Sequence, residues 1–271
     1  MGMNWLQSMI YGFVSGLSEL IPVSSSANQY LLVKLFGVDR ADPVLNLLVH
    51  IAVLLSVYMT CKNLLGQIGW TRQHRSHSRG RAQAKNYDNR FIKTAAIAFG
   101  VISIILTYVF KKNFTLAGVA LFSLINGLVL FVSSRALQGN KDSRLMSGVD
   151  SVATGALSAL SVLPGISRTG IALCVPMVRG ADRQKTLNWI LIFTIPALVL
   201  LSVMDIIEMF TAFQAMRFGV YVGYLLAAGC AYLGGVCGIR LMRFLAVRTG
   251  YSGFAFYSWC VALFAFILYL I

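Results

Sequence analysis

The chain has 271 residues, 58% of them hydrophobic and only 12% charged, with a formal net charge of +14 and a mean hydropathy of +0.74. A soluble domain carries about twice that share of charge, so a soluble globular fold is excluded. Apolar runs near the length of a membrane span recur from end to end, and the chain reads as an all-α polytopic membrane protein.

The first run covers residues 5–21 and ends in "IPVSSSANQY" (21–30), where Ser24, Ser25 and Ser26 follow Pro22 and Glu19 stands just before it. No basic segment or small-residue cleavage site precedes this run, so no cleavable signal is expected. Residues 27–36 then form an apolar piece about half as long as the hydrocarbon core requires. A full span is predicted over 43–61, and the basic stretch 61–93 leads out of it.

That stretch holds much of the positive charge, together with His74 and His77. It has no aromatic interleaving of the kind that stacks bases, and an excess of Lys and Arg on one side of a membrane accounts for it. No nucleic-acid partner is expected, and two loop histidines make a poor metal site. Spans follow at 91–110 and 115–134. An apolar run at 149–163 then leads through "PGISR" into a short run at 169–178, and spans at 187–207, 218–239 and 251–271 complete the chain. The five cysteines lack metal-ligand spacing and read as packing residues.

The two short-run segments predict re-entrant hairpins, because neither half crosses the core alone. "GFVSGLSELIP" (12–22) and "GALSALSVLP" (155–164) repeat glycine, serine and leucine-serine in the same order. Each half of the single domain, about 1–137 and 148–271, then holds one hairpin and three spans. An odd number of spans inverts the second half, the pattern of an inverted repeat with a site where the broken helices meet. With the 62–93 loop cytoplasmic, Arg135, Lys141, Arg144, Arg179, Arg183, Lys185, Arg240, Arg243 and Arg248 also fall inside. Only Lys34, Arg40, Lys111, Lys112 and Arg217 fall outside, so both termini and the mouth of the first hairpin are expected there.

Arg168 stands apart, at the tip of the second hairpin. An arginine within the membrane needs an anionic partner, and Glu19, at the matching place in the first hairpin, is the one expected. One reading is a structural ion pair between hairpins. The other adds hydroxyls from Ser24, Ser25, Ser26, Ser167 and Thr169, Gly165 beside them, and free N–H groups at two helix starts. Together these make a site for phosphate.

At these residues the chain resembles the undecaprenyl pyrophosphate phosphatase family, also called the BacA bacitracin-resistance family. "SGLSELIPVSSSAN" matches its Glu-x-x-x-Glu segment leading into Pro-Val-Ser-Ser, and "LPGISRTGIA" matches its Pro-Gly-x-Ser-Arg-Ser motif. "NLLVHIAVLLSV", with His50, is similar to a further family segment. The resemblance implies six spans, two re-entrant hairpins, and hydrolysis of a C55 polyprenyl diphosphate to the monophosphate at the outer face of the bacterial plasma membrane. It implies Glu19, Ser25 and Arg168 as catalytic residues. Ser24, Ser26, Asn28, Ser167, Thr169 and Gly165 would line the substrate, and Glu19 would be a ligand for a divalent cation, Mg or Ca.

The departures matter as much. Ser15 stands where the family has the first glutamate, Asn28 where a histidine is expected, Ala172 for the closing threonine, and Asn188 for a glutamate of some members. The phosphate-binding groups are kept while proton-transfer groups are lost. Loss of a general acid or base costs typically of order 10²–10⁴ in rate, so a non-hydrolytic polyprenyl-phosphate binder or flippase of the same fold is the alternative. Two further features are left open. His50 is a titrating group near the site or a packing histidine. The glycines of "GYLLAAGCAYLGGVCGIRLM" form an internal helix seam or a homodimer face.

Overall fold

The computed structural model describes residues 3–68, 79–110, 114–136, 139–211, 218–247 and 251–271. Ten α-helices lie among them: α1 (Trp5–Ser18), α2 (Ser25–Leu35), α3 (Pro43–Ile68), α4 (Arg79–Phe110), α5 (Leu116–Ser134), α6 (Gly148–Ser158), α7 (Arg168–Val178), α8 (Arg183–Thr211), α9 (Phe218–Val247) and α10 (Gly253–Leu270). Among the described residues there is no strand, only an isolated bridge between Lys141 and Ala181. Six helices, α3, α4, α5, α8, α9 and α10, are long and apolar enough to cross a membrane, so this is a multi-pass membrane protein.

Local chemistry sets where the short helices begin and end. Asn4 caps α1 and Gln7 returns the bond, and Ser147 and Asp150 do the same for α6. Ser24 caps α2 by accepting from the Ala27 N–H, and Ser167 caps α7 by accepting from the Gly170 N–H. Between α1 and α2 the chain turns at Pro22. Between α6 and α7 it passes through a 3₁₀ turn (Ala159–Val162), Pro164 and Gly165. Gly165 has φ +125°, a conformation that side chains rarely tolerate, and a Cβ there would meet the backbone of Ser123.

The spans start and stop close to where the apolar runs predict, with two differences. α3 runs to Ile68 and α4 starts at Arg79, so the described residues of the basic stretch are helical rather than an open loop. Arg, Ala, Gln and Lys are good helix formers, and hydropathy alone hides a helix once it leaves the apolar run. The expected cytoplasmic residues 69–78 lie outside the described residues.

Packing follows a cross-over pattern. α1 lies along α9 and α6 lies along α4, while α3 pairs with α8 and α5 with α10. The main core is built from α1, α3, α4, α8 and α9, with Tyr11, Val49, Val53, Ile92, Ile190, Phe193, Ala227 and Ala231 buried in it. Close approach depends on small residues: Gly12 and Gly16 sit against the Ala227 and Ala231 carbonyls, and Gly155 sits against that of Ala95. Gly234 and Gly238 of α9 likewise meet the backbone of α1. The glycine stripe of α9 is therefore an internal seam, and Gly229 is the exception, with open space around it.

Candidate active site

The two broken segments meet tip to tip. The Gly165 N–H donates to Ser24 Oγ at 2.9 Å, and the Thr169 hydroxyl donates to the Glu19 carbonyl at 2.9 Å. Between these two links, Arg168 Nη2 donates to Glu19 Oε2 at 2.7 Å. The side chains of Arg168 and Glu19 are 6% and 5% exposed, so both charges are out of water and each neutralises the other. The pairing anticipated from the sequence is present. Arg168 keeps one donor uncommitted, because its Nε is buried with no partner.

The expected hydroxyls take different parts. Ser24 Oγ accepts from both the Ala27 and Gly165 N–H groups and lies 3.1 Å from Ser26 Oγ, so it holds the two hairpins together. Ser167 Oγ caps α7, and the Ser167 N–H donates to Asn126 Oδ1 at 2.9 Å. Ser25 and Ser26 are half-buried in the first turn of α2, and Ser25 faces the Glu19 carboxylate. Helix starts leave N–H groups without helical acceptors. At α2 these belong to Ser25 and Ser26, and at α7 to Arg168 and Thr169. The two positive helix ends therefore converge on the Glu19–Arg168 pair.

Asn28 is held at both ends: Nδ2 donates to the Ser24 carbonyl at 3.0 Å, and Oδ1 accepts from the Tyr257 hydroxyl at 2.8 Å. A shallow depression with no room for a water-sized group lies beside it, lined among others by Ser24, Asn28, Ser123, Gly165 and Tyr257. Sequence reasoning missed Tyr257, Asn126 and Ser123. They lie on α10 and α5, far along the chain, in apolar runs that give no local sign of a site.

It also missed Asp205. His50 Nδ1 lies 2.5 Å from Asp205 Oδ2, and His50 Nε2 lies 3.8 Å from Glu19 Oε1. The signal was an acidic residue well inside an apolar run, Asp205 in "LVLLSVMDII", which membrane energetics marks as a candidate functional position. His50 is thus linked to the site rather than being a bare packing residue. Ser15, one turn before Glu19, is fully buried and its hydroxyl has no partner.

The family called Bacitracin resistance protein BacA matches residues 8–264. The chain belongs to the BacA family. Curated members similar to it share about a quarter of its residues over nearly full length. An undecaprenyl-diphosphatase of Carboxydothermus hydrogenoformans is 26% identical, covering 95% of this chain and 94% of the relative. One of Methanobrevibacter smithii is 27% identical over 97% of both, and one of Alkaliphilus metalliredigens is 28% identical over 96% of both. The matched residues include both tips described above.

The donor set does not fit a divalent cation held by the protein alone. Among the described residues no group of three His, Cys, Asp or Glu side chains could hold a metal ion. Glu19 already carries Arg168 on one oxygen and faces His50 with the other.

Proposed function

We propose that this BacA-family chain hydrolyses a polyprenyl diphosphate of the undecaprenyl class to the monophosphate, at the outer face of the bacterial plasma membrane, so that the lipid carrier of cell-wall synthesis is reused. The observation that carries this reading is Arg168, a buried guanidinium with a free Nε between two helix starts. A planar cation among uncommitted N–H groups suits a phosphoryl group and its three equatorial oxygens. The names of the curated relatives favour hydrolysis over the carrier alternative.

In this reading α1–α2 and α6–α7 are re-entrant hairpins of an inverted repeat. The cross-over packing supports it, since the first helix of each half lies on the fourth helix of the other. Gly12 and Gly155, paired by the sequence match, each sit against the partner helix backbone. Of the glycines that could have formed a homodimer face, Gly223, Gly234 and Gly238 pack against α1 and Gly235 against Ser56 of α3, which supports an internal seam.

The residues act as follows. Arg168 and the free N–H groups at the starts of α2 and α7 hold the diphosphate. Ser25, facing Glu19, attacks or orients water, and Glu19 takes the proton. Ser24 and Ser167 hold the two tips in register, Gly165 allows their close approach, and Ser26, Thr169 and Asn28 shape the rim. Phosphoryl transfer is mostly charge neutralisation and positioning, so these groups suffice for a slow reaction without a protein-held metal.

Phosphate release from a C15 or C55 diphosphate in detergent, with divalent ions and with EDTA, tests the reading. Arg168→Lys keeps the charge but loses the planar fork and should cut release by about 10²-fold, the scale of one lost transition-state donor. Arg179→Lys changes an arginine that is 61% exposed and paired to Asp150, and should leave release unchanged. Equal effects of the two changes would sink the site. Tight lipid binding with no release by the wild type would favour the carrier.

A further inference from the structure

Glu19 has a second face that hydrolysis as described above does not use. Its Oε1 is turned toward His50 on α3, and behind His50 stands Asp205 on α8. The side chains of His50 and Asp205 are 10% and 11% exposed. A histidine with a carboxylate on Nδ1 has its ring orientation and tautomer fixed by that bond. Nε2 is then the nitrogen presented to Glu19, and a closure of about 1 Å brings the two into hydrogen-bond range.

The groups around this file are few. Tyr11 of α1 borders it, and its hydroxyl donates to Asn46 Oδ1 at 2.7 Å. Arg168 of α7 lies beyond Glu19. Arg40 and Glu208 approach to 4.0 Å one helical turn past Asp205. On the remaining neighbours, Arg243 of α9 reaches the Thr60 carbonyl and Cys61, about three turns away, and Asp88 of α4 lies by Ser143 and Trp189. Asp205, His50, Glu19 and Arg168 therefore form one alternating series inside the membrane. Asn28, whose amide is held at both ends, supplies no proton carrier.

We propose that Asp205 and His50 are a positioning and proton-exchange dyad for Glu19, taking over the acid–base role that Asn28 cannot fill. Asp205 keeps the Nδ1–H, and Nε2 exchanges a proton with the Glu19 carboxylate. The inference rests on the hydrolytic reading for its use in turnover. There the attacking water oxygen bonds to the terminal phosphorus. The bridging P–O bond breaks, with its electron pair remaining on the polyprenyl monophosphate. The water proton passes to Glu19 and from Glu19 Oε1 to His50 Nε2. Unlike the catalytic groups, His50 and Asp205 touch no substrate.

The chain has three histidines, and two of them lie in the basic stretch, so imidazole ¹⁵N signals of the full chain in nanodiscs can be assigned with His50→Gln. Asp205→Asn should move the His50 titration midpoint by at least about one pH unit, the scale of one adjacent charge. Asp142→Asn, which alters an exposed pair with Arg144, should not move it. With farnesyl diphosphate, one limb of the kcat–pH profile should move by the same amount in Asp205→Asn. His50→Gln should lower kcat by about 10–10²-fold with KM nearly constant, and adding Asn28→His should restore at least about tenfold. If Asp205→Asn does not fold, Glu19→Gln serves as the second variant for the same titration. Superposed titrations and pH profiles in an active wild type would overturn the dyad and leave the phosphatase reading standing. A wild type that releases no phosphate, yet whose His50 signals respond to Glu19→Gln and to farnesyl diphosphate, would overturn the phosphatase reading and uphold the dyad.

Discussion

Removing either partner of the Glu19–Arg168 pair should destabilise the protein, and by unequal amounts. The pair is 2.7 Å apart with both side chains nearly inaccessible, and stripping one partner from a buried pair costs about 3–5 kcal/mol because the other charge is stranded. In Arg168→Gln the stranded group is Glu19, which still has His50 Nε2 3.8 Å away. In Glu19→Gln the stranded group is Arg168, whose Nε already lacks a partner. Glu19→Gln should therefore fall at the upper end of that range and Arg168→Gln at the lower end. At roughly 2–4 °C per kcal/mol for a chain of this size, the losses in Tm are about 6–12 °C for Arg168→Gln and 10–20 °C for Glu19→Gln. The double change removes both charges and should be no worse than the milder single one, giving a coupling of about 5 kcal/mol in a double-mutant cycle. Tryptophan fluorescence during heating in mild detergent reads all four proteins. Additive effects, or a larger loss for Arg168→Gln, would refute the reasoning.

Gly12→Ala should destabilise by about 1–3 kcal/mol through overpacking, because its Cβ would enter the Ala227 backbone, whereas Gly229→Ala, with open space around it, should be neutral; thermal unfolding compares them. In a cysteine-free background, Asp39→Cys should react with impermeant thiol reagents only from outside and Gly148→Cys only from the cytoplasm, and the reverse pattern would overturn the orientation. Ser15→Glu with Asn28→His should raise phosphate release by at least about tenfold, and Ser25→Ala in that background should remove the gain.

Much of the fold was legible because membranes impose simple rules. The six spans follow from length and hydropathy, and the two half-length pieces at Pro22 and Pro164 follow from what ten residues can reach. The Glu19–Arg168 pair was legible for the same reason: an arginine at a hairpin tip between two apolar runs requires a partner, and Glu19 stood at the matching place in the other hairpin. What could not be read was anything set by which spans adjoin. Asp205 is 155 residues from His50, and no local pattern ties α8 to α3. Tyr257 lies 229 residues from Asn28 and looks like one more aromatic residue in a lipid-facing run. The helical start of α4 was hidden because polar, helix-forming residues give no hydropathy signal.

The most direct test of the site is a structure of the protein with a methylene-bridged C15 diphosphate that cannot be hydrolysed. The terminal phosphate is expected within about 3 Å of the Arg168 guanidinium, between the starts of α2 and α7, with Ser25 and Glu19 beside it. A diphosphate bound elsewhere, with Arg168 still paired only to Glu19, would contradict the assignment.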